Sequence, residues 1–177
     1  GNWDDLAYES EKLISQLKDL TVDWIFDFIA WKGSEAEPLI DLFHNKIDRL
    51  VHISTGNVYN LEHLENYKTQ PIFEEDEGGE IHEETDPYSK GKRILEQAYF
   101  EAYREQRFPI TILRPTFIYG PDNYFEREAY FFKRRLANRP ILIPKPGHGY
   151  VDMIHAEDLA DLCLLAVKTP KSLGQAY

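Results

Sequence analysis

Leu6, Leu13, Leu17 and Leu20 recur at intervals that suit one apolar helix face, behind Asp4 and Asp5 as capping carboxylates. The pattern then changes. Over Asp23-Trp24-Ile25-Phe26-Asp27-Phe28-Ile29-Ala30 most positions are apolar, which predicts a strand buried on both faces, as in a parallel sheet. Ser34-Glu35-Ala36-Glu37 has the form of a capping box and opens a helix with Leu39, Leu42 and Phe43 on one side. A second strand is predicted from Leu50 to Ser54. Strand, helix and strand within about thirty residues make a βαβ unit with a right-handed crossover. That alternation assigns the chain to the α/β class with a parallel sheet.

Residues 60–86 are polar, with Glu74-Glu75-Asp76-Glu77-Gly78-Gly79-Glu80 at their centre, and read as a surface loop. A long helix follows from about Tyr88 to Gln106, with Ile94, Leu95, Ala98, Tyr99 and Ala102 on one face, before Pro109-Ile110-Thr111-Ile112-Leu113 returns to the sheet. Further on come a helix near Arg127 to Asn138, a short apolar run Ile141-Leu142-Ile143-Pro144, a Pro/Gly-rich turn and an amphipathic helix from about Ala156 to Val167. No internal repeat is present.

At 177 residues and 42% hydrophobic, the chain can bury a sizeable core. The formal net charge of -11 repels polyanions on average, so a nucleic-acid partner is not expected; the one basic run, Lys133-Arg134-Arg135, reads first as a solvated helix face. A single cysteine, Cys163, excludes an internal disulfide and falls on the apolar face of the last helix, which suits a reducing cytoplasm. No apolar run approaches the roughly 18 residues of a membrane span, and no basic-then-apolar signal segment opens the sequence. A metal site is not indicated. His82-Glu83-Glu84 fails H-E-x-x-H because residue 86 is Asp86, and His44, His52, His63, His148 and His155 show no ligand spacing.

The candidate chemistry centres on Tyr88 and Lys92, one helical turn apart, and on the hydroxyls of Ser54 and Thr55 at a predicted strand end. A free tyrosine, with a pKa of about 10, is a poor base near neutrality. A lysine ammonium beside it favours the phenolate, and positions i and i+4 share a helix face. The bland reading makes Lys92 a solvated face residue and Tyr88 a helix-start aromatic.

The order of motifs goes further: Phe28-Ile29-Ala30, Ser54-Thr55-Gly56-Asn57-Val58-Tyr59, Asp86-Pro87-Tyr88-Ser89-Lys90-Gly91-Lys92, Arg114-Pro115-Thr116-Phe117-Ile118-Tyr119-Gly120-Pro121, and Ile154-His155-Ala156-Glu157-Asp158. This series resembles the extended short-chain dehydrogenase/reductase family, the NAD-dependent epimerase/dehydratases, across nearly the whole chain. The resemblance implies a Rossmann-like doubly wound sheet, partial here. Residues 1–115 would belong to the dinucleotide-binding domain, and 116–177 would contribute to a small substrate lobe and the last helices of the main domain. It implies NAD or NADP as cofactor, Tyr88 as acid/base, Lys92 as its electrostatic partner and ribose ligand, and Thr55 as the hydroxyl orienting the substrate oxygen, with Ser54 in the preceding structural position. Pro115 to Phe117 would pass behind the nicotinamide. Ala30 would lie near the cofactor, although it reads equally as a core residue. The implied partner is a small-molecule substrate, possible classes being a sugar or nucleotide sugar, and the implied assembly is a homodimer through residues 35–44 and 88–106. Tyr99, Phe100 and Tyr103 are interface candidates there; core packing explains Tyr99 equally well.

The chain also departs from that family's pattern. The glycine-rich turn for the pyrophosphate is expected upstream of Gly1, so the chain reads as the middle and later part of a longer protein. Phe117 stands where sugar-nucleotide members carry an asparagine, Val151 stands near the place of an arginine, and Gly56-Asn57 replaces the acidic pair of the sugar dehydratases. Two readings follow: an NAD(P)-dependent oxidoreductase or epimerase, or a non-catalytic nucleotide- or RNA-binding member of the same fold.

Overall fold

Buried on all five positions, Arg49–Ile53 forms the central strand of the sheet and explains its architecture. In the computed structural model, residues 15–17, 20–59, 72–74, 85–123, 125–143 and 151–177 are described. Strand β1 (Trp24–Asp27) pairs in parallel with β2 (Arg49–Ile53), which pairs in parallel with β3 (Ile110–Leu113). Helix α1 (Ala36–Phe43) connects the first two strands, and α2 (Pro87–Gln106) precedes the third. A second, two-stranded parallel sheet joins β4 (Phe117–Tyr119) to β5 (Met153–His155), with α3 (Arg127–Leu136) between them in sequence and α4 (Ala156–Lys168) after. The last residues run along the free side of β3: the Gly174 and Tyr177 amides donate to the Ile110 and Ile112 carbonyls, and the Ile112 amide donates to Gln175.

Alternate side chains of a strand point to opposite faces, so β2 and β3 serve two cores. Leu50, Ile110 and Ile112 pack with Ile40, Phe43, Leu95 and Tyr99 from α1 and α2. On the other face, Val51, Ile53 and Leu113 meet Leu159, Cys163 and Ala166 of α4. Each fully buried aliphatic side chain stabilises the fold by about 1.5–3 kcal/mol. Helices on both faces of a parallel sheet make the doubly wound arrangement that the resemblance implies, within the α/β class that the alternation of elements predicts.

Several predicted details shift. The first strand ends at Asp27 rather than Ala30, because the Asp27 carboxylate accepts hydrogen bonds from the Ile29 and Ala30 amides, each 3.0 Å away, and turns the chain. Ser34 is not the cap of α1. The Glu35 carboxylate accepts from the Trp31 and Lys32 amides at 2.8 Å, and a 3-10 turn at Gly33–Glu35 leads into the helix. Tyr99 is fully buried between His52 and Phe108, so it packs the core and is no interface aromatic. Residues 15–17 are helical, the rest of the predicted N-terminal helix up to Leu17 lies outside the described residues, and so does most of the predicted 60–86 loop.

Candidate active site

The carboxyl ends of β1, β2 and β3 lie side by side, the position at which an open parallel sheet binds ligands. Ala30 follows β1, Ser54 and Thr55 follow β2, and Pro115 follows β3. A hydrogen bond from the Gly56 amide to the Pro115 carbonyl, 2.9 Å, joins two of these ends directly.

Helix α2 brings the tyrosine and the lysine to the same edge. Its first turn is capped by Asp86, whose carboxylate accepts from the Ser89 amide at 2.9 Å and the Ser89 hydroxyl at 3.0 Å, and Pro87 occupies the first turn, where its missing N–H costs nothing. Tyr88 is 41% exposed, with its ring 6.1 Å from that of Trp31. Lys92 is only 3% exposed, which rules out the solvated-face reading. Its Nζ donates to the Ile53 carbonyl at 2.5 Å, at the very end of β2, and lies 3.5 Å from His52 Nε2. Burial lowers the Lys92 pKa from its ordinary 10.5, opposed by the charges of Asp27, Glu96 and Glu35.

Of the two hydroxyls, Thr55 accepts a local bond from the Asn57 amide at 3.3 Å. The Ser54 Oγ is buried and has no partner among the described residues. Ala30 is buried, its amide held by Asp27. Phe117 is not drawn into this cluster: it opens β4, is half exposed, and carries the Arg127 guanidinium 5.1 Å above its ring.

Two polar clusters behind the site escaped sequence reasoning. His52 Nδ1 lies 2.8 Å from Asp27 Oδ2, both buried. Arg114 binds both oxygens of Glu96 through Nε, with Nη2 2.7 Å from Oε2, and donates through Nη1 to the Tyr59 hydroxyl at 3.0 Å. The available signal was a charged or titratable residue inside an otherwise apolar strand or helix face, since such groups enter a core only when paired. Among the described residues, no group of three His, Cys, Asp or Glu side chains could hold a metal ion.

A family model for the NAD-dependent epimerase/dehydratases matches residues 32–177. The chain belongs to this family. A chloroplast stem-loop binding protein of 41 kDa from Arabidopsis thaliana is 29% identical over 155 residues, 88% of this chain and 37% of that protein. The dTDP-D-glucose 4,6-dehydratase of Homo sapiens is 27% identical over 188 residues, 97% of this chain and 49% of that protein. The chain thus spans half or less of the length of these relatives. Among solved structures, an epimerase from Methanothermobacter thermautotrophicus superposes with a TM-score of 0.72 at 17% identity, over 94% of this chain and 54% of that one. The dTDP-glucose 4,6-dehydratase of Bacillus anthracis, in complex with NAD, superposes with a TM-score of 0.68 at 23% identity, over 94% and 54%. These neighbours share the Rossmann-type fold of the epimerase/dehydratase family.

Proposed function

We propose that this chain carries the hydride-transfer site of an NAD(P)-dependent oxidoreductase or epimerase acting on a small-molecule alcohol or ketone, with sugars and nucleotide sugars as the leading substrate class. The observation that carries the reading is the Lys92 ammonium buried against the end of β2, one turn along the helix from an accessible Tyr88. Tyr88 takes or returns the hydroxyl proton, Lys92 stabilises its phenolate, and Thr55 orients the reacting oxygen. NAD(P), when bound, supplies the hydride acceptor or donor. The residues present suit it: Lys92 and the Ser54 hydroxyl, which has no partner among the described residues, can meet ribose hydroxyls, and Ala30 and Pro115 stand at the strand ends beside them, whereas Phe117 lies apart on β4. Gly56-Asn57 brings no carboxylate next to Thr55, so the reading is hydride transfer without the elimination of a dehydratase.

Tyr88→Phe tests it. Turnover of a reducible sugar-type substrate should fall by about 10²-fold or more, while NAD(P) affinity stays within a few-fold. Undiminished turnover would overturn the assignment.

A second reading rests on α3, which buries no residue and carries Lys133, Arg134 and Arg135 beside exposed Tyr130, Phe131 and Phe132. A basic, aromatic helix on a chain of net charge -11 suits single-stranded RNA. A mobility shift that weakens steeply with salt supports this reading, and no shift at low salt removes it. For assembly we propose a homodimer through the outward faces of residues 35–44 and 88–106, with Phe100 and Tyr103 in place of the buried Tyr99. Among the described residues no helix is long and apolar enough to cross a membrane. A reducing cytoplasm suits the buried, free Cys163.

A further inference from the structure

Asp27 and His52 are direct partners in the parallel register of β1 and β2, so their side chains rise from the same face of the sheet. That face is the one covered by α2, where Lys92 completes the group. Asp27 Oδ2 lies 2.8 Å from His52 Nδ1, and His52 Nε2 lies 3.5 Å from Lys92 Nζ. All three are buried, His52 completely.

The protonation pattern follows from the geometry. Asp27 also accepts from the Ile29 and Ala30 amides, and these bonds with that of His52 outweigh burial and hold its pKa at about 2, so it is a carboxylate. The Nδ1 facing it is therefore the protonated nitrogen of His52. A neutral imidazole then presents the lone pair of Nε2 to the lysine, and this acceptor, together with the Ile53 carbonyl, favours the ammonium, which has three N–H donors and a positive charge to place against them. Burial keeps the imidazole below its ordinary 6.5, against the pull of the Asp27 hydrogen bond.

We propose that Asp27 and His52 are positioning residues for Lys92: a buried Asp27–His52–Lys92 chain holds the lysine as an ammonium at the end of β2, with the carboxylate as its counter-charge relayed through a neutral imidazole. This deepens the reading of Tyr88 and Lys92 as the acid/base pair and rests on it, because an ammonium that lost its proton would no longer favour the Tyr88 phenolate. The charged and titratable groups around Lys92 and its partners are Asp27 from β1, His52 from β2, Glu35 from the turn before α1, and Tyr88, Glu96 and Tyr99 from α2 itself, Tyr99 facing His52 with a phenol that burial keeps protonated. Glu96 is already committed to Arg114, and Glu35 to the Trp31 and Lys32 amides. That leaves Asp27 as the one carboxylate coupled to Lys92 through a hydrogen-bonded side chain.

The test is a carbon NMR titration of the protein labelled at lysine Cε, with the Lys92 signal assigned by its loss in Lys92→Met. Asp27→Asn and His52→Leu should each lower the pH at which Lys92 loses its proton by about one unit, a tenfold loss in proton affinity. His52→Gln, which can return an amide oxygen to the place of Nε2, should restore most of it. If the midpoint stays within a few tenths of a unit in Asp27→Asn while circular dichroism shows a folded chain, and His52→Leu, where folded, agrees, the proposal is overturned. The readout needs no turnover, so it stands or falls apart from the Tyr88→Phe result.

Discussion

Gly91 on α2 meets the carbonyl oxygen of Trp31 so closely that a Cβ at position 91 would collide with it. The helix that carries Tyr88 and Lys92 thus lies directly on the chain leaving β1, with no room for a side chain between them. Gly91→Ala should push the two elements apart and destabilise the fold by about 1–3 kcal/mol, seen as a lowered thermal midpoint. An unchanged midpoint would mean that the contact relaxes freely. Because Gly91 sits between the tyrosine and the lysine, the variant should also weaken turnover beyond its effect on stability.

The N-cap offers a second lever on the same helix. Asp86→Ala removes the acceptor for the Ser89 amide and should cost about 0.5–2 kcal/mol, with faster hydrogen exchange in the first turn, where Tyr88 stands. Asp86→Asn keeps an acceptor oxygen and should cost less. Equal losses in the two variants would argue against capping as the cause.

Acid should unfold the chain in two stages set by the Asp27–His52 pair. Burial raises the Asp27 carboxyl, but the hydrogen bonds from His52 and the Ala30 amide outweigh it and hold the pKa at about 2, below the ordinary 3.8. Both groups bind fewer protons folded than unfolded, so each contribution is lost as pH falls. The part from His52 is complete above about pH 6.5 and declines below it. The part from Asp27 is complete above about pH 4, is lost toward pH 2, and amounts to about 2 kcal/mol. Urea unfolding across this range reads both stages, and Asp27→Asn should flatten the lower one.

The pair Glu96 and Arg114 should behave as a unit. Glu96→Gln leaves a mostly buried guanidinium without its anion and should cost about 3 kcal/mol, near the lower end for a broken buried pair, because the Tyr59 hydroxyl and ring remain beside it. Replacing both residues with Leu and Met should cost less than the sum of the single changes. Additive losses would show that the two side chains act separately.

Much of this architecture was legible in the order of apolar runs. A nearly continuous apolar segment, an amphipathic one and another continuous one can bury their surfaces together only as βαβ, and a four-residue interval sets Tyr88 and Lys92 on one helix face whatever surrounds them. Strand ends were less legible: nothing local distinguishes Asp27, which stops β1, from a polar residue within a strand. The short β4 and β5 were not predicted, since three residues carry too little periodicity and each strand forms only by pairing with the other.

What the tertiary structure alone decided is the environment of the lysine. The sequence permits Lys92 either on a solvated face or beneath the tyrosine. Burial follows from α2 packing onto β1 and β2, and the Asp27–His52 pairing follows from a strand register that joins residues 25 positions apart. Spacing along a chain determines which residues share a face of one element; only the docking of elements determines which charges leave water together, and that desolvation is what gives Lys92 and its partners their properties.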